Sequence, residues 1–109
     1  MIRGYGSERI VDIDGYILDP GPSLEVCNHS PDGFEWAYNG SGPAQLALAL
    51  LMWCFPTWVA EKYHQKFKED VISRLDRNWE MEVDDIISWV LNNTTPEEDE
   101  AIKKWELDE

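Results

Sequence analysis

Hydrophobic positions along the chain change their period near residue 40. Before it they alternate in short runs. Arg9-Ile10-Val11-Asp12-Ile13 is rich in β-branched residues, Asp14-Gly15 is a two-residue hairpin signal, and Tyr16-Ile17-Leu18 returns. Asp19-Pro20-Gly21-Pro22 breaks that run, and Ser23-Leu24-Glu25-Val26-Cys27 then alternates polar with apolar, as a half-buried strand does. Asn28 to Gly33 is dense in turn residues, after which Phe34, Trp36 and Tyr38 share one face of a further alternating segment. The pattern predicts two successive antiparallel hairpins.

Beyond Asn39-Gly40 the period becomes helical. Ser41 is placed to cap a helix, Pro43 is tolerated in its first turn, and Ala44 to Trp53 is apolar nearly all round, which predicts a central buried helix ended or kinked by Pro56. Val59, Tyr63, Phe67, Val71 and Leu75 recur every four residues and predict an amphipathic helix from about Thr57 to Leu75. Trp79 to Val83 alternates, as a further strand or an extended lead-in to the next helix. Val83, Ile86, Ile87, Val90 and Leu91 form a third helical stripe, with Asp84 and Asp85 in its first turn and Asn92-Asn93 as its stop. Thr95-Pro96-Glu97-Glu98 is a capping box with proline at the first helical position, opening a short last helix with i, i+4 pairs at Asp99–Lys103 and Glu100–Lys104.

Together these elements predict an α+β fold. An antiparallel meander of three to four strands packs against a buried helix and two or three amphipathic ones. Residues 1–93 form one domain and 94–109 an acidic C-terminal helical tail. Leu46, Leu50, Phe67, Ile87 and Leu91 are the expected core against the meander.

Composition narrows the function classes. The chain has 109 residues, 43% of them apolar and six of them Trp, enough for a core without metal or disulfide staples. Its 22 acids against 9 bases give a net charge of −13, which repels nucleic acid and anionic lipid and favours a protein partner with a basic surface. Most of the imbalance lies in residues 79–109, which hold 11 acids and 2 bases. The longest apolar run, Leu46 to Phe55, has ten residues, where a membrane span needs about 20. Met1 to Gly6 contains no apolar signal-peptide region, and two cysteines, Cys27 and Cys54, do not make a disulfide scaffold. The expectation is a reducing compartment, the cytoplasm.

Two groups of residues carry candidate chemistry. Asn28, His29, Ser30, Asp32 and Glu35 place a histidine near carboxylates on a loop, the parts of general acid–base catalysis, and Ser41 in Gly40-Ser41-Gly42-Pro43 sits at a helix N-terminus where anions bind. The competing reading is structural: the polar side chains bond the turn's own backbone, His29 latches the loop, and Pro43 removes a donor from a simple strand-to-helix turn. Cys27, His29, Cys54 and His64 lack zinc spacing, and Asp12 and Asp14 lack the ligand series of a calcium loop, so no metal or other cofactor is expected. The second group is the acidic third. Glu80, Glu82, Asp84, Asp85 and Glu97, Glu98, Asp99, Glu100 would form an anionic docking surface, with Trp89 and Trp105 as anchors.

The stretch from Asn28 to Leu51, NHSPDGFEWAYNGSGPAQLALALL, resembles the signature of an uncharacterised family of small bacterial and phage proteins, a domain of unknown function. The Leu18-Asp19-Pro20-Gly21-Pro22-Ser23-Leu24 element and the Tyr63 to Lys68 helix fit the same resemblance, which spans roughly Gly4 to Leu91. Gly21 stands where the family often has Arg, and Ala37 where it often has Gly. The resemblance implies a bacterial or phage origin and brings no known reaction. With the charge, it leads to the expectation of a non-enzymatic inhibitor of a nucleic-acid-binding host defence factor; the alternative is a small-ligand or phosphate site at Asn28–Glu35 and Gly40–Pro43.

Overall fold

The structure, a computed structural model, describes residues 1–108. Four antiparallel strands form one sheet: β1 (Ile2–Tyr5), β2 (Ile10–Ile13), β3 (Tyr16–Ile17) and β4 (Trp79–Met81), in the order β3-β2-β1-β4. Five α-helices complete the fold: α1 (Gly21–Val26), α2 (Ser41–Cys54), α3 (Thr57–Asp70), α4 (Val83–Asn93) and α5 (Pro96–Asp108). The expected α+β class holds, with α2 as the central element, buried from Gly42 to Leu51 and packed on α1, α3 and α4.

The first hairpin forms where the sequence places it. Asp14 and Gly15 both take positive φ, 51° and 90°, the twist that joins two right-handed strands through a two-residue turn. Asp12 Oδ1 accepts the Gly15 N–H at 2.7 Å and fixes the register Ile13↔Tyr16.

The second hairpin does not exist. Ser23–Cys27, expected as a strand, lies mostly in α1: Pro22 fits a first helical turn, and the Ser23 hydroxyl donates back to Pro20 O at 2.8 Å. Five residues are too few to separate a period of 2 from one of 3.6. Phe34–Tyr38 is irregular rather than a strand. Phe34 and Trp36 are buried, but the segment is held by isolated bonds, Ala37 N–H to Ile72 O at 3.1 Å and Trp36 Nε1–H to Arg77 O at 2.8 Å. Tyr38 is exposed.

The sheet instead gains β1, and Trp79–Met81 takes the strand alternative as β4. Ile2 pairs with Ile13 and Met81, Gly4 with Val11 and Trp79. Gly4 is the position where Trp79 lies on the backbone. A Cβ there would stand 2.1 Å from Trp79 Nε1 and 2.3 Å from Cε2, and the indole is buried, edge-on to Trp36. Gly4→Ala is therefore expected to destabilise by about 1–3 kcal/mol through overpacking. Urea midpoints of wild type and variant measure this; equal midpoints would mean that the indole moves aside freely.

Three helix details differ from the pattern. Ser41 is the first helical residue of α2, Gly40 is the N-cap, and no side chain caps it. After Asp70, α3 gives way to a 3-10 turn at Ile72–Arg74, because Val71 leaves helical geometry (φ −123°). In α4, Ile86 and Val90 are fully buried, Ile87 is half-buried and Leu91 is 47% exposed. Leu46, Leu50 and Phe67 are core as expected, and Leu91 is not.

Candidate functional site

The polar loop after α1 is tied to the helices from below. Gln45 is the one polar side chain among the apolar residues of α2 from Ala44 to Leu51, and it is fully buried. Its Oε1 accepts the His29 N–H at 2.8 Å and the Ser30 N–H at 3.1 Å, and its Nε2 donates to the buried Ser23 Oγ at 2.8 Å. Each of its polar atoms is thus satisfied by α1 or by the loop.

His29 reaches across to α3, where its Nε2 lies 2.9 Å from Nε2 of buried His64. His64 Nδ1 stands 2.8 Å from Ala60 O and 3.0 Å from Glu61 O. Carbonyls only accept, so Nδ1 of His64 carries the proton, its Nε2 accepts, and His29 Nε2 is the donor. The contact makes His29 a latch between loop and helix. Burial, then the neighbouring His64 and Lys68, holds the His29 pKa below its ordinary 6.5. Stability is accordingly expected to be full above pH 6.5 and to fall as pH drops below it, since the unfolded chain takes up the proton first. Urea unfolding between pH 8 and pH 5 measures this. His29→Gln, which does not titrate, should flatten the slope; an unchanged slope would assign it to another group.

The other loop residues do not converge on His29. Asn28 and Asp32 are exposed, and Asp32 lines a separate depression with Arg9, Pro20 and Phe34. Glu35 pairs with Arg9 Nε at 2.9 Å, and the same guanidinium lies over the Trp36 ring. Ser41 is exposed at the start of α2, where Gly42 allows the Glu35 segment to lie close: a Cβ on Gly42 would be 2.4 Å from Glu35 Cβ. Among the described residues no three His, Cys, Asp or Glu side chains gather as a metal site, and no helix is long and apolar enough to cross a membrane. Cys27 and Cys54 are both free thiols, and burial pushes Cys54 up to about 11.

The acidic third divides into two sets. Glu80 on β4, Glu82 at the N-cap of α4 and Asp84 and Asp85 in its first turn stand exposed. Asp85 Oδ2 accepts the Glu82 N–H at 2.8 Å; Arg3 lies 3.5 Å from Glu80, and the Met1 ammonium 3.6 Å from Glu82. Glu97 and Glu100 of α5 are also exposed. Glu98 and Asp99 are turned inward. Glu98 accepts from Lys62 Nζ at 2.6 Å, from the Tyr63 hydroxyl and from the Thr95 N–H at 2.9 Å, and these bonds, Lys62 first, hold its carboxyl down to about 2. The Glu98 N–H returns to Thr95 Oγ1 at 3.2 Å, completing the capping box. Asp99 receives the Thr94 hydroxyl. Glu98 and buried Ile102 thus fasten α5 to the rest of the fold.

Trp89 is half-buried in the seam between α3 and α4. Its ring is edge-on to Phe67 and Tyr63, and its Nε1–H donates to Asp70 at 3.1 Å. Trp105 is half-buried. Exposed large apolar side chains lie elsewhere, among them Trp53 at the end of α2, 52% exposed, and Ile17 of β3, 62% exposed. These two flank a cleft of about 230 Å³ whose rim includes Asp19. The apolar run continues through Trp53 and so predicts it as core, but it is exposed while its neighbour Phe55 is buried.

One family model matches the chain, that of a family of unknown function (DUF6166), over residues 3–92. No curated protein and no solved structure matches it.

Proposed function

We propose, from the premise that the chain belongs to this family of unknown function, that it is a non-enzymatic binding module. Its acidic face docks on the basic groove of a nucleic-acid-binding protein and keeps nucleic acid out. In the bacterial and phage setting that the sequence resemblance implies, the partner is a host defence factor. The observation that carries the reading is the exposure of Glu80, Glu82, Asp84 and Asp85 together on a strand and a helix start. Carboxylates fixed on regular elements hold their spacing and can stand in for phosphates along a groove. The catalytic alternative has less support, because the loop's backbone donors, His29 and Glu35 are spent on structural contacts.

Exposed charges are screened beyond about 8 Å at physiological salt, so such a face acts mainly on encounter. With a partner captured from bacterial lysate, the association rate is expected to fall about tenfold or more between low and high salt. Changing Glu80 and Glu82 to Gln, and Asp84 and Asp85 to Asn, should lower it similarly and leave dissociation nearly unchanged. The Asn at 85 keeps an acceptor for the Glu82 N–H. Immobilised-partner kinetics give both rates. An association rate indifferent to salt and to the four substitutions rules this reading out.

A further inference from the structure

We propose that the cleft between β3 and α2 binds one Lys or Arg side chain of a partner protein. Trp53 would serve as its aromatic wall and Asp19 as its counter-charge. The proposal rests on the reading of the chain as a binder of basic proteins and gives it an anchor at the other edge of the sheet. β3 and β4 are the two edge strands, so the cleft and the Glu80–Asp85 face lie at opposite sides of the sheet order.

The walls are apolar: Ile17, Pro22, Ala49, Met52 and Trp53. At about 230 Å³ the space is below the range of sites for whole small molecules and suits a single side chain. Large apolar residues as exposed as Ile17 and Trp53, grouped around a concavity, mark a contact surface. The rim supplies the specificity. Asp19 Oδ1 accepts the Gly21 N–H at 2.9 Å, which orients a carboxylate that is otherwise exposed.

Charge selects the occupant. Between Arg9 and Lys62 the chain has no Lys or Arg, and both walls of the cleft come from that stretch. Asp19 and Glu25 fall in the same segment as the β3 wall; Asp14 of that segment is paired with the Met1 ammonium at 2.7 Å, and Arg9 lines the neighbouring depression on the far side of Ile17 and Leu18. A purely apolar side chain would fill the space but leave the carboxylate unused, and an anionic one would be repelled. Lys and Arg fit both halves of the site, since their stems cover apolar surface while the head reaches a ring face or a carboxylate. A second copy of the chain, at −13 net charge, is opposed by the same field.

The test uses the full ¹⁵N-labelled chain and three small probes: the N-acetyl, N′-methylamide derivatives of lysine, arginine and norleucine. Lysine and arginine probes are expected to shift the Trp53 indole N–H and the Ile17 and Leu18 amides saturably. The norleucine probe, with a similar stem and no charge, should bind about three- to fivefold more weakly. Asp19→Asn should weaken the charged probes to the norleucine level, and Trp53→Leu should abolish saturation while both variants keep wild-type melting curves. The fourfold acidic-face variant should bind the probes as wild type does. Equal affinity for norleucine overturns the proposal, as do shifts centred on β4 and α4, or no saturable shift at all. Concentration-dependent Trp53 shifts without probe overturn it in favour of self-association. If the probes fail while the acidic-face kinetics hold, the cleft is wrong and the functional reading stands; the converse leaves the cleft as a cation site without that function.

Discussion

Leu50→Ala is expected to lower the unfolding free energy by about 2–5 kcal/mol, among the largest effects of any single truncation in this chain. Leu50 is fully buried in the one helix that meets α1, α3 and α4. Two terms add: the transfer free energy of the lost methyl and methylene groups, and the cavity left because close-packed neighbours relax only in part. Relaxation is restricted here, since Leu46, Leu48 and Leu51 on the same helix are also fully buried and each is held by its own neighbours. Denaturant unfolding followed by far-UV circular dichroism gives the value. A loss below about 0.5 kcal/mol would mean that α2 is not the centre of the fold.

Gln45→Leu conserves the buried volume and is expected to be nearly as damaging, by about 2–4 kcal/mol, for a different reason. The side chain is sealed inside α2, and its amide is the partner of three groups: the N–H of His29, the N–H of Ser30 and the Ser23 hydroxyl. Leucine satisfies neither N–H, while the Ser23 hydroxyl keeps its bond to Pro20 O. An unpaired polar group in the interior loses its desolvation free energy outright, about 1–3 kcal/mol each, with the sum reduced where the loop can open to water. Hydrogen exchange distinguishes this loss from simple cavity formation. Amides 29 and 30 should lose protection in Gln45→Leu and keep it in Leu50→Ala at matched fractions folded. Retained protection at both amides would remove Gln45 from its role as the loop's tether.

These two residues also show where the sequence is legible. Leu50 is predictable because α2 is apolar nearly all round from Ala44 to Trp53, as a central helix is. The Asp14-Gly15 turn, the stripe of α3 and the capping box of α5 are local signals too, each complete within a few residues. What escapes is decided between distant segments. β1 contains Gly4, a poor strand former, and becomes a strand because Trp79, far along the chain, lies on it. The Phe34–Trp36 alternation is real in its burial yet forms no ladder, since Arg9, Ile72 and Arg77 take up the segment's side chains and backbone. The candidate site follows the same division. The exposed acids of β4 and α4 are readable from composition. The pairing of His29 with His64, the inward turn of Glu98 and the cleft beside Trp53 depend on which helix faces which loop, and spacing does not encode that.

The attachment of α5 reaches across the end of the family match. The stretch shared with the family ends at residue 92, so Lys62 and Tyr63 lie inside it and Glu98 outside. One bonded cluster therefore joins the family-matched body to a helix beyond the matched stretch. A substitution at Lys62 or Tyr63 within the matched stretch therefore acts beyond it, by unclasping α5. The clasp at these two positions serves a helix that the matched stretch does not contain.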